Sequence, residues 1–381
     1  MRTRSILVLP LALAAVLLVA GPAPVSAQDA RGGRTWDVPT CGIVSGTGAV
    51  TFTRDEGSTL APTTQRLIGT VYTRGLAVLD TPNTLLAVQN RTLLRSGNAG
   101  CRWSAVDTIE SPSDGYPLSL TAAPGGRAYG WADGRVDLVR IDRSGRATVY
   151  LTSPVSAIAG LAADPRDGDR VRLGAADGTI WESVDAGATW TQVGTPPEAG
   201  VSAYRVSFDP NDPDHVLVGT SVTGAFVSAD GGASWTPSAG LSSASGRFNV
   251  FNLVVSPSSG QTVYAMGINL DEANQGDPSE GKHIYRSFDG GLSFEPVVDK
   301  SPDVHLSNGP TMAVHPANPE VLYFVYGMSY DSYGTDLYRF DGRTGLVSRT
   351  HNAYDTVPAI GFNPADPGVM YLGLAHEQIA R

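Results

Sequence analysis

Apolar residues along this chain fall in short runs, not long stripes. VLVGTSV (216–222) and TVYAMGI (262–268) are representative, each bounded by Gly, Pro, Asp or Asn. Short runs of alternating or wholly apolar residues between turn formers predict β-strands. One segment breaks the pattern. SILVLPLALAAVLLVA (5–20) is continuously apolar, MRTR precedes it, and GPAPVSA follows with Val25 and Ala27 where a signal peptidase reads small side chains. This predicts a secretory signal peptide over 1–27, because the run is shorter than the ~20 residues of a spanning helix and no charged stop follows. No other segment carries an amphipathic helix of three turns, so the exported chain is expected to be all-β. Residues 28–40 are polar and expected to be loose apart from Trp36, and 41–381 to form one domain.

The strands recur with a motif. SVDAGATW (183–190), SADGGASW (228–235) and SFDGGLSF (287–294) share the form Ser-x-Asp-x-Gly-x-x-aromatic; SGNAGCRW (96–103) and TRDEGSTL (53–60) are weaker copies. The spacing has a local physical reason. Asp55, Asn98, Asp185, Asp230 and Asp289 can accept turn N–H groups, the Gly supplies a positive φ, and the leading Ser or Thr ties the entering strand. The aromatics Trp103, Trp190, Trp235 and Phe294 can then fold back onto the sheet. A second element is a Pro-rich turn followed by an apolar strand, as in ADPRDGDRVRLGA (163–175), FDPNDPDHVLVGT (208–220) and NPADPGVMYLGLA (363–375). Its Asp and Asn residues could ligate calcium, but turn chemistry accounts for them equally well, and no metal is expected.

Fixed-period self-similarity predicts a closed array. The units run 76–106, 118–150, 158–193, 204–238, 251–297 and 310–350. Residues 357–381 carry the Pro-turn without the motif, and 41–61 carry the motif without the Pro-turn. The two ends are therefore expected to complete one unit. The fold class follows: a seven-bladed β-propeller of four-stranded antiparallel blades, the last closed by both termini, with about 50 residues per blade.

The repeat motif resembles the Asp-box, or BNR repeat, of secreted sialidase-like β-propellers, and the resemblance covers the whole exported chain. It implies that the boxes clasp hairpins and are not catalytic. Among compact secreted propellers without an appended domain, it implies a non-enzymatic protein that engages an extracellular metalloprotease and promotes its self-cleavage. It also implies a substrate through which transglutaminase modifies exposed glutamines, of which Gln65 and Gln275 lie in expected loops. The alternative is a glycan-acting propeller, either a sialidase-like hydrolase or a lectin. Such sialidases use three arginines, the first in an Arg-Ile-Pro motif. This chain has no Arg-Ile-Pro, and Arg66 and Arg74 lack that context. A glycan-acting chain would converge Arg or carboxylate side chains in the central channel.

Charge narrows the partners. The 27 basic and 37 acidic residues leave a net −10, and only Lys282 and Lys300 are lysines, so no basic stripe for nucleic acid exists. The two cysteines, Cys41 and Cys101, read most simply as one disulfide of an exported protein. Two cysteines at that separation do not make a zinc site, no cofactor motif appears, and a monomer is expected.

Candidate function falls on the face opposite the boxes, where loops between blades and between second and third strands meet. Its longest insertions, 269–282 and 327–336, carry Asp271, Glu272, Tyr330, Asp331 and Tyr333; flanking loops carry Arg247, Phe248, His305, His351 and Tyr354. Arg and aromatic residues favour protein-binding hot spots, so these ten are the expected contact surface for another secreted protein.

Overall fold

A computed structural model describes residues 35–381 except 111–116, 278, 329–333 and 378–381. The expected signal peptide thus lies outside the described residues. Seven four-stranded antiparallel sheets form a ring. Blade one comprises Gly75–Val78, Leu85–Gln89, Thr92–Ser96 and Ser104–Thr108; blades two to six repeat that order through Leu346–Asn352. The single helix among the described residues is one turn, Leu270–Ala273, and no helix there is long and apolar enough to cross a membrane.

The chain ends complete one blade, as expected. Met370–His376 pairs with Thr356–Phe362, and its residues Met370–Gly373 also pair with Val50–Thr53. Val71–Tyr72 pairs with its last two residues, Ala375 and His376. The outermost position differs from a regular strand. Ala61 N donates to Phe52 O at 2.9 Å, but Pro62 has no N–H to extend a ladder.

Each blade interface holds one apolar cluster, seven in all. The cluster closing the ring joins Val50, Phe52 and Tyr371 of blade seven to Leu85, Ala87 and Leu94 of blade one. Tyr371 is wholly buried there; its hydroxyl donates to Ala99 O (3.0 Å) and accepts from Asn363 Nδ2 (2.8 Å). Burial pushes the Tyr371 phenol up to about 12, so it remains a donor.

All five motif copies build the same clasp. In blade four the Ser228 hydroxyl donates to Asp230 (2.7 Å) and accepts from Gly232 N (2.8 Å), while Asp230 accepts Ser234 N at 2.8 Å. Equivalent bonds link Thr53, Asp55 and Gly57, then Ser96, Asn98 and Gly100, then the copies at 183 and 287. Two consecutive residues take positive φ, such as Ala186 (60°) and Gly187 (85°). Only the second must be Gly, since Glu56 and Ala99 also fill the first position. The hydrogen bonds from Ser234 and Ser228 hold Asp230 down to about 2. Blades two and six turn on other aspartates: Asp142 accepts from Arg146 N and Ala147 N, and Asp341 from Arg343 N and Thr344 N. The Pro-turns are capped one residue ahead of the proline, where Asp164, Asp209 and Asn363 accept from the backbone two residues on.

Residues 35–40 are tied down where composition predicted slack. Trp36 Nε1 donates to Leu79 O (3.2 Å), Asp37 N to Asn83 Oδ1 (2.6 Å), and Asn363 Nδ2 to Asp37 O (2.9 Å). Beside them Cys41 and Cys101 form the expected disulfide, closing a separation of 60 residues. Replacing both by Ser should lower unfolding stability by about 2–4 kcal/mol, read as a lower denaturant midpoint.

One histidine bridges blades. His215 Nδ1 faces Asp209 Oδ2 (3.2 Å), and its Nε2 faces Gly290 O of the next blade's clasp (2.7 Å). Both partners accept, so both ring nitrogens donate only in the imidazolium. Burial opposes that charge, but the bonds to Asp209 and Gly290 outweigh it and raise the pKa above 6.5. A raised folded pKa means the stabilisation is complete below about 6.5 and lost as pH climbs through the folded value. The melting-temperature gap between the natural chain and H215Q should therefore be widest near about pH 6 and narrow by about pH 9; a gap constant with pH contradicts this.

Candidate functional site

In each blade the first-to-second and third-to-fourth turns share one end of the sheet, so the clasps occupy one face. Loops between second and third strands and between blades occupy the other. Two features stand on that face: the mouth of the axial channel and the rim of blades five and six.

The channel mouth is a cavity of about 690 Å³ lined from the start of first strands and the adjoining loops. Arg74 Nη2 pairs with Asp133 Oδ2 at 3.3 Å. Arg205, on the first strand of blade four, sets its guanidinium 5.3 Å from the Trp131 ring centroid. Its Nε is buried and has no hydrogen-bond partner among the described residues. Burial holds Arg205 below the usual arginine value; nearby Asp133 opposes the shift and Arg74 adds to it. Beside it the Tyr204 ring stacks on Phe251, centroids 4.5 Å apart and planes 24° from parallel. Asn252 also lines the mouth and donates its amide to Pro310 O (2.8 Å).

The blade-five insertion is ordered by its own polar groups. Asn269 caps the single helical turn, accepting from Asp271 N (3.1 Å) and donating to Glu272 Oε1 (2.6 Å). Ser245 reaches across from the preceding loop, bonding Asp271 through its hydroxyl and its N–H; these bonds hold the Asp271 carboxyl below its ordinary value. Leu270 N donates to Arg247 O at 3.3 Å, which sets Arg247 beside the start of the helical turn. His283 stands between Glu272 and Asp299, 2.7 Å from each. Lys300 binds Asp277 (2.6 Å) and Glu280 (2.9 Å) and keeps Asp277 ionised well below the usual carboxylate range. These groups and Gln275 line a second cavity of about 490 Å³.

On blade six the wholly buried Asp336 collects three donors. His351 Nδ1 lies 2.8 Å from Oδ1, the Tyr338 hydroxyl donates to Oδ2 at 3.2 Å, and Arg349 is 3.6 Å away. Tyr338 in turn accepts from His305 N at 3.0 Å, and burial pushes its phenol up to about 12. His305 stacks on Tyr326 with centroids 5.2 Å apart. His305 and His351 are thus joined through Tyr338 and Asp336. Tyr354 is half-buried against the apolar cluster between blades six and seven. Tyr330, Asp331 and Tyr333 lie outside the described residues.

Phe248 is a correction. It is 1% exposed and packs edge-on to Tyr285 (5.5 Å), not into solvent. The first strand of blade five begins at Phe248, three residues earlier than the repeat alignment placed it, so this ring is the first core position of the strand. Sequence reasoning also missed Asp133, Tyr204, Arg205 and Phe251. A polar residue at the inner end of a first strand, as in AYRVSF (203–208), was the available signal. Gln65 and Gln275 are both exposed. Among the described residues no group of three or more His, Cys, Asp or Glu could hold a metal ion.

No family model matches the chain. The chain is 50% identical over 368 residues to the Dispase autolysis-inducing protein of Streptomyces mobaraensis, covering 96% of this chain and 97% of that protein. Its fold resembles the GH74 enzyme of Niastella koreensis at TM-score 0.58 and 16% identity, over 81% of this chain and 52% of that one, so it spans about half the enzyme. It also resembles YCF48 bound to D1 peptide, at TM-score 0.54 and 13% identity over 88% of this chain and 99% of that one. Identities this low speak to the fold alone.

Lys300 is the clamp on the blade-five insertion, and its replacement should be local. K300Q should speed protease cleavage within 269–282 several-fold while leaving the global melting temperature unchanged; a lowered melting temperature with unchanged cleavage contradicts the assignment.

Proposed function

The chain belongs to the family of the Dispase autolysis-inducing protein, and from that membership we propose that it is a secreted, non-enzymatic interaction propeller that docks on an extracellular metalloprotease and promotes its self-cleavage. The observation that carries this reading is 50% identity across 96% of the chain. The Cys41–Cys101 disulfide fits an oxidising compartment, and the N-terminal pattern over 1–27 fits a cleaved signal peptide. We assign 41–381 as the propeller domain. The docking surface is the rim of blades five and six, with Arg247, Asp271, Glu272, His305, His351 and Tyr354 as contacts. Exposed Gln65 and Gln275 suit the role of acyl-donor glutamines for transglutaminase.

A glycan-acting reading draws on the channel, where Arg74, Arg205 and Asp133 do converge. Glycoside hydrolysis through paired carboxylates needs two such groups about 5–9.5 Å apart. Asp133 is the one carboxylate among the described lining residues, and it is already paired with Arg74. That favours the interaction reading over hydrolysis.

The test is direct. Purified propeller is added to dispase, and intact protease and residual activity are followed over time. The expected result is a saturable shortening of dispase lifetime, with R247E raising the half-maximal concentration by about tenfold. An unchanged dispase lifetime at saturating propeller sinks the proposal.

A further inference from the structure

The channel mouth contains an arginine, Arg205, that feels the charge of Asp133 and the Trp131 ring but makes no ion pair of its own among the described residues. Arg74 has Asp133 as its counter-ion. Arg205 packs against Trp131, its Nε is buried without a hydrogen-bond partner, and Asp133 lies close enough to act on its charge but forms no hydrogen bond with it. The side chain is only part-buried, so although Nε is closed off, the rest of the guanidinium stays open to a ligand in the cavity. The guanidinium lines the open axial cavity of about 690 Å³, within the usual size of ligand pockets. Its planar fork matches an oxyanion, either a carboxylate or a phosphate, bound through two parallel N–H donors.

Surroundings narrow the ligand. The rim of the same face is acidic, with Asp271, Glu272, Asp277 and Glu280 on the blade-five insertion, so polyanions are repelled and a single carboxylate is tolerated. The cavity lies on the ring axis and is walled by the first strands of several blades. An end of a chain can enter such a site, whereas the middle of a folded segment cannot. The stacked Tyr204 and Phe251 rings form a flat wall for the side chain next to the carboxylate.

We propose that the channel mouth is a binding site for the C-terminal carboxylate of a peptide chain, anchored by Arg205 and supported by Arg74. The proposal rests on the interaction reading above and names the part of a partner that this site would take. The docking rim of blades five and six is a separate surface.

The test uses the full exported chain and calorimetric titration at low salt with acetyl-Ala-Ala-Leu bearing a free C-terminal carboxylate. Parallel titrations use its C-terminal amide and glucuronate. The expected result is saturable binding of the acid, weakened by added salt, with the amide at least about tenfold weaker. R205M, which keeps the stem against Trp131 but removes the charge, should weaken the acid by about tenfold and leave the amide unchanged. R74M should weaken the acid by a smaller factor, and it reports on the site if R205M fails to fold. Equal binding of acid and amide, binding of glucuronate in place of the peptide, or no binding of the acid overturns the proposal. No protease is present in these titrations, so their failure leaves the dispase experiment to be judged separately.

Discussion

Each blade is a sheet with two apolar faces, and its neighbours in the ring are what cover them. That constraint governs the molecule. Seven clusters fill seven interfaces, and none is spare. The approach between blades is close enough to exclude a methyl group at chosen points. A Cβ on Gly174 would collide with Val206 of the next blade, and one on Gly219 with Val250. Small residues in second strands are therefore part of the packing, and the first strands they admit are the ones that line the channel.

The clasps serve the same constraint from the outside. A buried Ser228 or Ser287 hydroxyl takes up a glycine N–H that the sharp turn would otherwise leave unpaired. The turn is thus satisfied within eight residues and needs little from its neighbours. Its carbonyls are left for interblade bonds, as where His215 meets Gly290 O, and side chains elsewhere add more, as when Arg172 of blade three ties to Asp214 and Pro213 of blade four. The face away from the clasps has the opposite character. Its long insertion on blade five is held by charged side chains on the surface, and its axial mouth by arginines set into the ring.

The architecture was legible because its causes are local. Ser-x-Asp-x-Gly-x-x-aromatic spells out a turn, and counting turns gave the number of blades and the shared closing sheet. Strand onset was less legible. Phe248 was read as a surface residue because a repeat alignment carries an uncertainty of a few residues, enough to turn a core position into a loop. The channel was the least legible feature. Arg74, Asp133, Tyr204, Arg205 and Phe251 are scattered over nearly 180 positions in sequence and meet only because the ring brings first strands together. No spacing rule within one segment could reveal that. Loop placement singles out His305 and His351 as candidates, but their link through Tyr338 and Asp336 depends on the register of Gly334–Asp341 against Leu346–Asn352.

The closing sheet sets an order on how the protein comes into being. Met370–His376 lies between Thr356–Phe362 and Val50–Thr53, so the earliest-made strand waits for nearly the latest. Until that piece is synthesised and released, the growing polypeptide is an unfinished arc whose two end blades each leave an oily flank uncovered. Such an arc invites chaperones, and any axial mouth exists only in part. A molecule built this way has its axial mouth complete only when the last strand has been laid beside the first.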